Sequence, residues 1–141
     1  MKLFLDTGSL VALHNVDDEH HAEATAIFHE IASGRARVSK LYCSDYVLDE
    51  SVATCFARTH NRRSAILLGR SILESESIVL LRIDPDAFNQ SWTLFRDKFH
   101  DIPLSFTDCT TYILMKLNGI ANVFSFDSDF DALGLERTPK G

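Results

Sequence analysis

Acidic residues in this sequence stand at the ends of apolar runs. Asp6 closes Leu3-Phe4-Leu5, Asp127 and Asp129 follow Val123-Phe124-Ser125-Phe126, Asp108 stands three residues after Ser105, and Glu50 lies in an apolar segment of helical period. If the fold gathers them, these carboxylates disfavour one another's ionisation and raise one another's pKa. A divalent cation resolves that conflict, and a donor set of oxygens alone selects Mg2+ or Mn2+ over zinc. The six histidines show no zinc spacing. A hard ion held by carboxylates beside a crevice suits phosphoryl chemistry, since it neutralises a phosphodiester, activates a water and stabilises the leaving oxygen.

The elements that must position these acids follow from periodicity. Lys2 to Asp6 reads as a short buried strand running into a Thr-Gly-Ser turn and a helix. His20 to Ala32 has Ala24, Ile27, Phe28 and Ile31 on one helical face, closed by Gly34. Val38 to Cys43 is a second strand, Tyr46 to Ala57 a helix carrying Glu50, and Ser64 to Leu73 another helix. Ser77 to Ile83 is a third strand. Asp84-Pro85 caps a helix reaching about Phe99. After a loop from His100 to Leu104, the S-x-x-D of Ser105 and Asp108 opens a helix through Thr111 to Leu117, stopped by Asn118-Gly119, and Asn122 to Phe126 is a fourth strand. This alternation predicts an α/β fold with a central parallel sheet covered by helices on both faces. Its functional crevice lies outside the carboxyl ends of the strands, where Asp6, Glu50, Asp108, Asp127 and Asp129 all fall.

Length and composition set the frame. With 141 residues, 45% hydrophobic and 24% charged, one domain spanning the chain is expected. A net charge of -6 leaves no overall basic field for a polyanion, so binding to nucleic acid needs a local patch or a metal ion. Cys43, Cys55 and Cys109 form no C-x-x-C and suit a reducing cytoplasm. Asp6 interrupts the N-terminal apolar run, and no run is long enough to span a membrane.

Taken singly, each acid has a structural role open to it. Asp108 is the acceptor of a capping box, Asp6 a turn or cap residue, Glu50 a solvated helix residue with Asp49 as its equal competitor, and Asp127-Ser-Asp129 ordinary turn chemistry. Thr7, Ser9 and Thr107 beside the acids either orient carboxylates and metal-bound water or cap helices. Arg58, His60, Arg62 and Arg63 make the densest basic stretch and Arg35, Arg37 and Lys40 a looser one; both read as phosphate grips, as solvated loops or as contacts for a protein partner. His20 and His21 read as capping or packing residues, and Trp92, Phe95 and Phe99 as core or a dimer face.

Four blocks in order, Phe4-Leu5-Asp6-Thr7-Gly8-Ser9, Val47-Leu48-Asp49-Glu50, Leu104-Ser105-Phe106-Thr107-Asp108 and Val123-Phe124-Ser125-Phe126-Asp127-Ser128-Asp129-Phe130, resemble the PIN-domain ribonucleases. Within that family they are most similar to the VapC-type toxins of bacterial and archaeal toxin–antitoxin pairs. The resemblance implies a catalytic and metal-binding quartet of Asp6, Glu50, Asp108 and Asp127, with Asp129 as a possible fifth ligand. Gly8 and Ser125 stand where the family often has threonine, departures expected to touch no carboxylate. The resemblance further implies an endoribonuclease dependent on Mg2+ or Mn2+ and acting on structured RNA such as tRNA or the sarcin-ricin loop of rRNA. It implies a homodimer silenced by a cognate antitoxin protein. The alternatives are a PIN-like module that binds RNA or protein without cleaving, and a housekeeping RNA-processing nuclease. A haloacid-dehalogenase-type phosphatase is disfavoured because Asp6 is followed by Thr7-Gly8 rather than by a second aspartate two residues on. A receiver domain is disfavoured because it needs an acidic pair at the first strand and a late lysine.

Overall fold

The structure, a computed structural model, describes residues 1–140. Its elements in chain order are β1 (Lys2–Leu5), α1 (Thr7–His14), α2 (His21–Ala32), β2 (Lys40–Ser44), α3 (Asp45–Thr59), α4 (Arg62–Leu73) and β3 (Ile78–Leu81). Then come α5 (Pro85–Thr93), a π-helical turn (Leu94–Lys98), α6 (Phe106–Leu117), β4 (Asn122–Phe124), a 3-10 turn (Ser128–Leu133) and β5 (Glu136–Thr138). The five strands form one sheet in the order β3-β2-β1-β4-β5, and every neighbouring pair is parallel.

Leu3, Phe4 and Leu5 are all fully buried. Successive strand residues point to opposite faces, so both faces of β1 are covered, as an apolar run in a parallel sheet requires. This is the architecture that the alternation of strands and helices predicts. Chain order departs from spatial order around β1, which pairs with β2 on one side and β4 on the other. The carboxyl ends of β1 and β4 therefore flank the switch point at which such sheets hold their ligands.

The local rules behind the site-bearing helices are plain. Ser44 caps α3 by accepting from the Val47 N–H at 3.0 Å, and Asp84 caps α5 by accepting from the Ala87 N–H at 2.8 Å, with Pro85 following. The helix predicted to reach about Phe99 ends as the π-helical turn at Lys98.

One element differs from expectation, and one of the two roles open to Trp92 and Phe95 is excluded. β5 is a fifth strand where the sequence pattern indicates none. It is three residues long, and its central Arg137 is buried, with Nε and Nη2 donating to the Asp131 carboxylate at 3.0 and 3.2 Å and Nη1 to the Pro139 carbonyl at 3.0 Å. Trp92 and Phe95 are not core: they are 47% and 43% exposed on the side of α5 and its π-helical turn. Among the described residues no helix is long and apolar enough to cross a membrane.

Candidate active site

A pocket of about 320 Å³ opens at the carboxyl edge of the sheet, lined by Asp6, Thr7, Gly8, Val11, Glu50, Thr54, Arg58, Ser105, Asp108 and Asp127. Asp6 enters from the end of β1, Asp127 from beyond β4, Asp108 from the first turn of α6 and Glu50 from α3. Glu50, Thr54 and Arg58 recur at four-residue steps and so share one face of α3. Asp49, the competitor of Glu50, is exposed and does not line the pocket.

Asp6 is 5% exposed and occupies the N-cap position of α1, yet its carboxylate makes no capping bond to that helix. Instead Oδ2 accepts from Ser125 Oγ at 2.7 Å, and Ser125 Oγ in turn accepts from the Asp127 N–H at 3.0 Å. This corrects the expectation that Ser125 touches no carboxylate: its hydroxyl bonds to two members of the quartet, the side chain of Asp6 and the N–H of Asp127. Asp6 Oδ1 is buried without a hydrogen-bond partner, and so is Thr7 Oγ1 beside it. Burial, and then the charge of Asp108, push Asp6 from 3.8 up to about 7 against the opposing hydrogen bond from Ser125.

Asp108 has both of the roles open to it. Its Oδ2 accepts from the Ser105 N–H at 3.0 Å while its own N–H donates to Ser105 Oγ at 3.1 Å, which completes a capping box. The other oxygen takes no part in the cap. Burial pushes this carboxyl up to about 6, with the charges of Glu50 and Asp127 adding to it and the Ser105 bonds opposing it. Asp127 caps the 3-10 turn by accepting from the Asp129 N–H at 2.9 Å.

A model of the PIN domain matches residues 3–135, almost the whole length of this arrangement. The chain belongs to the PIN domain family. It is similar to the 23S rRNA-specific endonuclease VapC20 of Mycobacterium tuberculosis, from strains CDC 1551 / Oshkosh and ATCC 25618 / H37Rv. Identity to each is 26% over 132 residues, covering 94% of this chain and 94% of the relative. The crystal structure of Mycobacterium tuberculosis VapC20, described as a Sarcin-Ricin loop cleaving toxin, superposes with a TM-score of 0.81 at 27% identity, covering 94% of this chain and 95% of that one.

The PIN domain does not gather every residue singled out in its sequence. Asp129 does not line the pocket, and its contribution there is the backbone N–H that Asp127 accepts. Ser9 Oγ donates to the Asp6 carbonyl at 2.8 Å, not to its carboxylate, and Thr107 serves as the carbonyl acceptor of Thr110 Oγ1 at 2.6 Å. Of the basic stretch only Arg58 reaches the pocket wall. Arg62 lies over the Phe56 ring at 4.6 Å, and Arg63 is exposed on α4, beyond the left-handed turn at His60. The site also takes in Thr54 and gives Ser125 a role beside Asp6. Thr54 was legible from its four-residue spacing to Glu50, and Ser125 from its place two residues before Asp127.

The donor set of the PIN domain suits a hard divalent ion. Its possible donors are oxygens, four carboxylates and the hydroxyls of Thr7, Thr54 and Ser105, with two of the carboxyls raised in pKa and one buried carboxylate oxygen left without a partner. Among the described residues, no three or more His, Cys, Asp or Glu side chains already stand close enough together to enclose an ion. The acids line a common pocket without meeting at one point.

Proposed function

We propose that this chain is a metal-dependent endoribonuclease that cleaves structured RNA, and that it is the toxin of a type II toxin–antitoxin pair. The observation that carries the reading is the orphaned Oδ1 of Asp6, buried at the floor of a pocket lined by three further carboxylates. Asp6 and Asp108 are the first ligands for Mg2+ or Mn2+, with Glu50 and Asp127 completing the set and Asp129 outside it. Bound there, the ion supplies the positive charge this acidic chain lacks against a phosphodiester, and lowers the pKa of a water.

The chain's own residues do the rest. Ser125 holds Asp6 by Oδ2 and thereby fixes the orientation of Oδ1, the oxygen that would hold the ion. The capping box fixes Asp108 in the same way through its Oδ2. Glu50, on the facing helix, orients the attacking water and accepts its proton at a carboxylate oxygen. Arg58 at the rim holds a non-bridging phosphate oxygen. In-line attack of that water on phosphorus breaks the P–O3′ bond, leaving a 5′-phosphate and a 3′-oxygen that takes up a proton from solvent; no 2′-hydroxyl takes part, so no cyclic phosphate forms.

The similarity to VapC20 over 94% of both chains supports large-subunit rRNA, and its sarcin-ricin loop, over tRNA as the target. The same similarity supports a cognate antitoxin partner and action in the cytoplasm. Phe88, Trp92 and Phe95, each exposed by more than two-fifths, supply an apolar face for a homodimer. The test is to incubate purified protein with intact ribosomes and with total tRNA in Mg2+ or Mn2+. A discrete cut in the large-subunit rRNA, abolished by EDTA, is expected; cleavage of tRNA alone reassigns the substrate, and cleavage that persists in EDTA removes the metal from the account.

A further inference from the structure

A second pocket, of about 410 Å³, adjoins the acidic one and is lined by Gly8, Asn15, Asp17, Asp18, Glu19, His20, Arg58 and Phe126. The two share Gly8 and Arg58. Gly8 puts no side chain between them, and the space where its Cβ would stand is open. One wall of the second pocket is a flat pair of rings. His20 stacks on Phe126 with centroids 4.2 Å apart and planes 4° from parallel, while the His20 side chain remains 39% exposed. One face of the imidazole is thus spent on Phe126 and its Nε2 pairs with the exposed Glu19 at 3.4 Å, which leaves the exposed part of the ring as the surface a further ring would cover.

The platform is tied to the basic rim. Asp18 Oδ1 accepts from the His20 N–H at 2.8 Å and Asp18 Oδ2 pairs with Arg58 Nη1 at 3.7 Å. A single aspartate therefore touches both the residue that carries the flat surface and a guanidinium that also lines the acidic pocket. Phe126 directly precedes Asp127, which fixes the platform against the quartet by the shortest possible tether. Proteins read unpaired RNA by stacking splayed bases on aromatic or histidine rings while a cation holds the adjoining phosphate.

We propose that this second pocket receives the base of the nucleotide next to the cleaved phosphate, with the His20 ring as its stacking surface and Arg58 on the phosphate between. The inference rests on the nuclease reading and names the form of RNA it takes: a splayed, unpaired nucleotide, not a continuous duplex. The test is steady-state cleavage of intact ribosomes in Mn2+ by the wild type and by His20→Ala, His20→Leu and His20→Phe, with thermal melting of each. His20→Leu keeps an apolar cover on Phe126 without a flat ring, and His20→Phe keeps the flat ring without the imidazole's nitrogens. KM is expected to rise about tenfold in the Ala and Leu variants with kcat little changed, and to return close to wild type in the Phe variant. An unchanged KM in His20→Leu, or a Phe variant as weak as Leu, overturns the proposal while the nuclease reading stands. Failure of the wild type to cut removes the nuclease reading and this inference with it.

Discussion

Ser125 Oγ donates to Asp6 Oδ2 at 2.7 Å across 119 positions of sequence, tying the end of β4 to the end of β1 at the point where the sheet reverses its order. The bond uses one oxygen of the most deeply buried acid and leaves the other unpartnered. Ser125→Ala removes the donor and lets the carboxyl rotate. Cleavage should fall ~10–100-fold, the range for losing a group that orients a metal ligand, while Ser125→Thr retains most activity. Single-turnover rates on ribosomal RNA decide it, and equal rates for Ala and wild type would mean that the bond does not orient Asp6.

The raised carboxyls make the metal-free protein sensitive to pH in a defined sense. Asp6 titrates at about 7 when folded against 3.8 in its ordinary state, so between these values the folded chain binds more protons than the unfolded one. Stability from this group is full below about pH 4 and is lost as pH rises to about 7, a change of roughly 4 kcal/mol at most. Asp108, raised to about 6, acts in the same direction. Thermal melts in EDTA should therefore show the melting temperature falling from pH 5 to pH 7.5, and Asp6→Asn should flatten the trend. Mn2+ should restore stability at pH 7.5 far more than at pH 5, because the ion competes with protons for the same oxygens. A melting temperature that rises over this range in EDTA contradicts the raised values.

Of the basic residues near α3, Arg58 alone lines the pocket. Arg58→Ala should raise KM and lower the slope of log affinity against log salt by about 1, as expected for one lost phosphate contact. Arg62→Ala and Arg63→Ala should leave both nearly unchanged. Filter binding to rRNA over a salt series separates the three, and equal losses in all of them would spread the RNA contact along the whole basic stretch.

Arg137 is a matter of stability and not of chemistry. Its guanidinium makes three hydrogen bonds in a buried position and does not line the acidic pocket. Arg137→Ala should cost about 1–3 kcal/mol in urea unfolding, with kcat of the folded enzyme retained. A variant of wild-type stability would show that the pair with the half-exposed Asp131 contributes nothing net.

The quartet was legible because each acid stands at a strand end or in a helix's early turns, and a parallel sheet opens all its strand-to-helix turns on one edge. Other parts were hidden for physical reasons. α1 is announced by the turn before it and not by its own period: Leu10, Val11 and Ala12 are buried in succession because it packs against α2, α3 and α4 together. β5 is Glu-Arg-Thr, and its burial depends on a guanidinium neutralised by Asp131, which no apolar pattern announces. Ser125 looks like a neutral replacement in sequence, and only the pairing of β1 with β4 brings it to Asp6. Asp129, by contrast, shares a two-residue spacing with Asp127, yet the 3-10 turn uses its N–H and keeps its side chain off the pocket wall.

The most direct measurement is to map the RNA ends produced from intact ribosomes by the wild type and by Asp108→Asn, a change that preserves the size of the side chain while removing its charge. Wild-type cuts at a discrete position with 5′-phosphate and 3′-hydroxyl ends, vanishing in Asp108→Asn and in EDTA, are the result expected from metal-assisted in-line hydrolysis at this pocket. Cyclic phosphate ends, or equal cutting by wild type and Asp108→Asn, would contradict it.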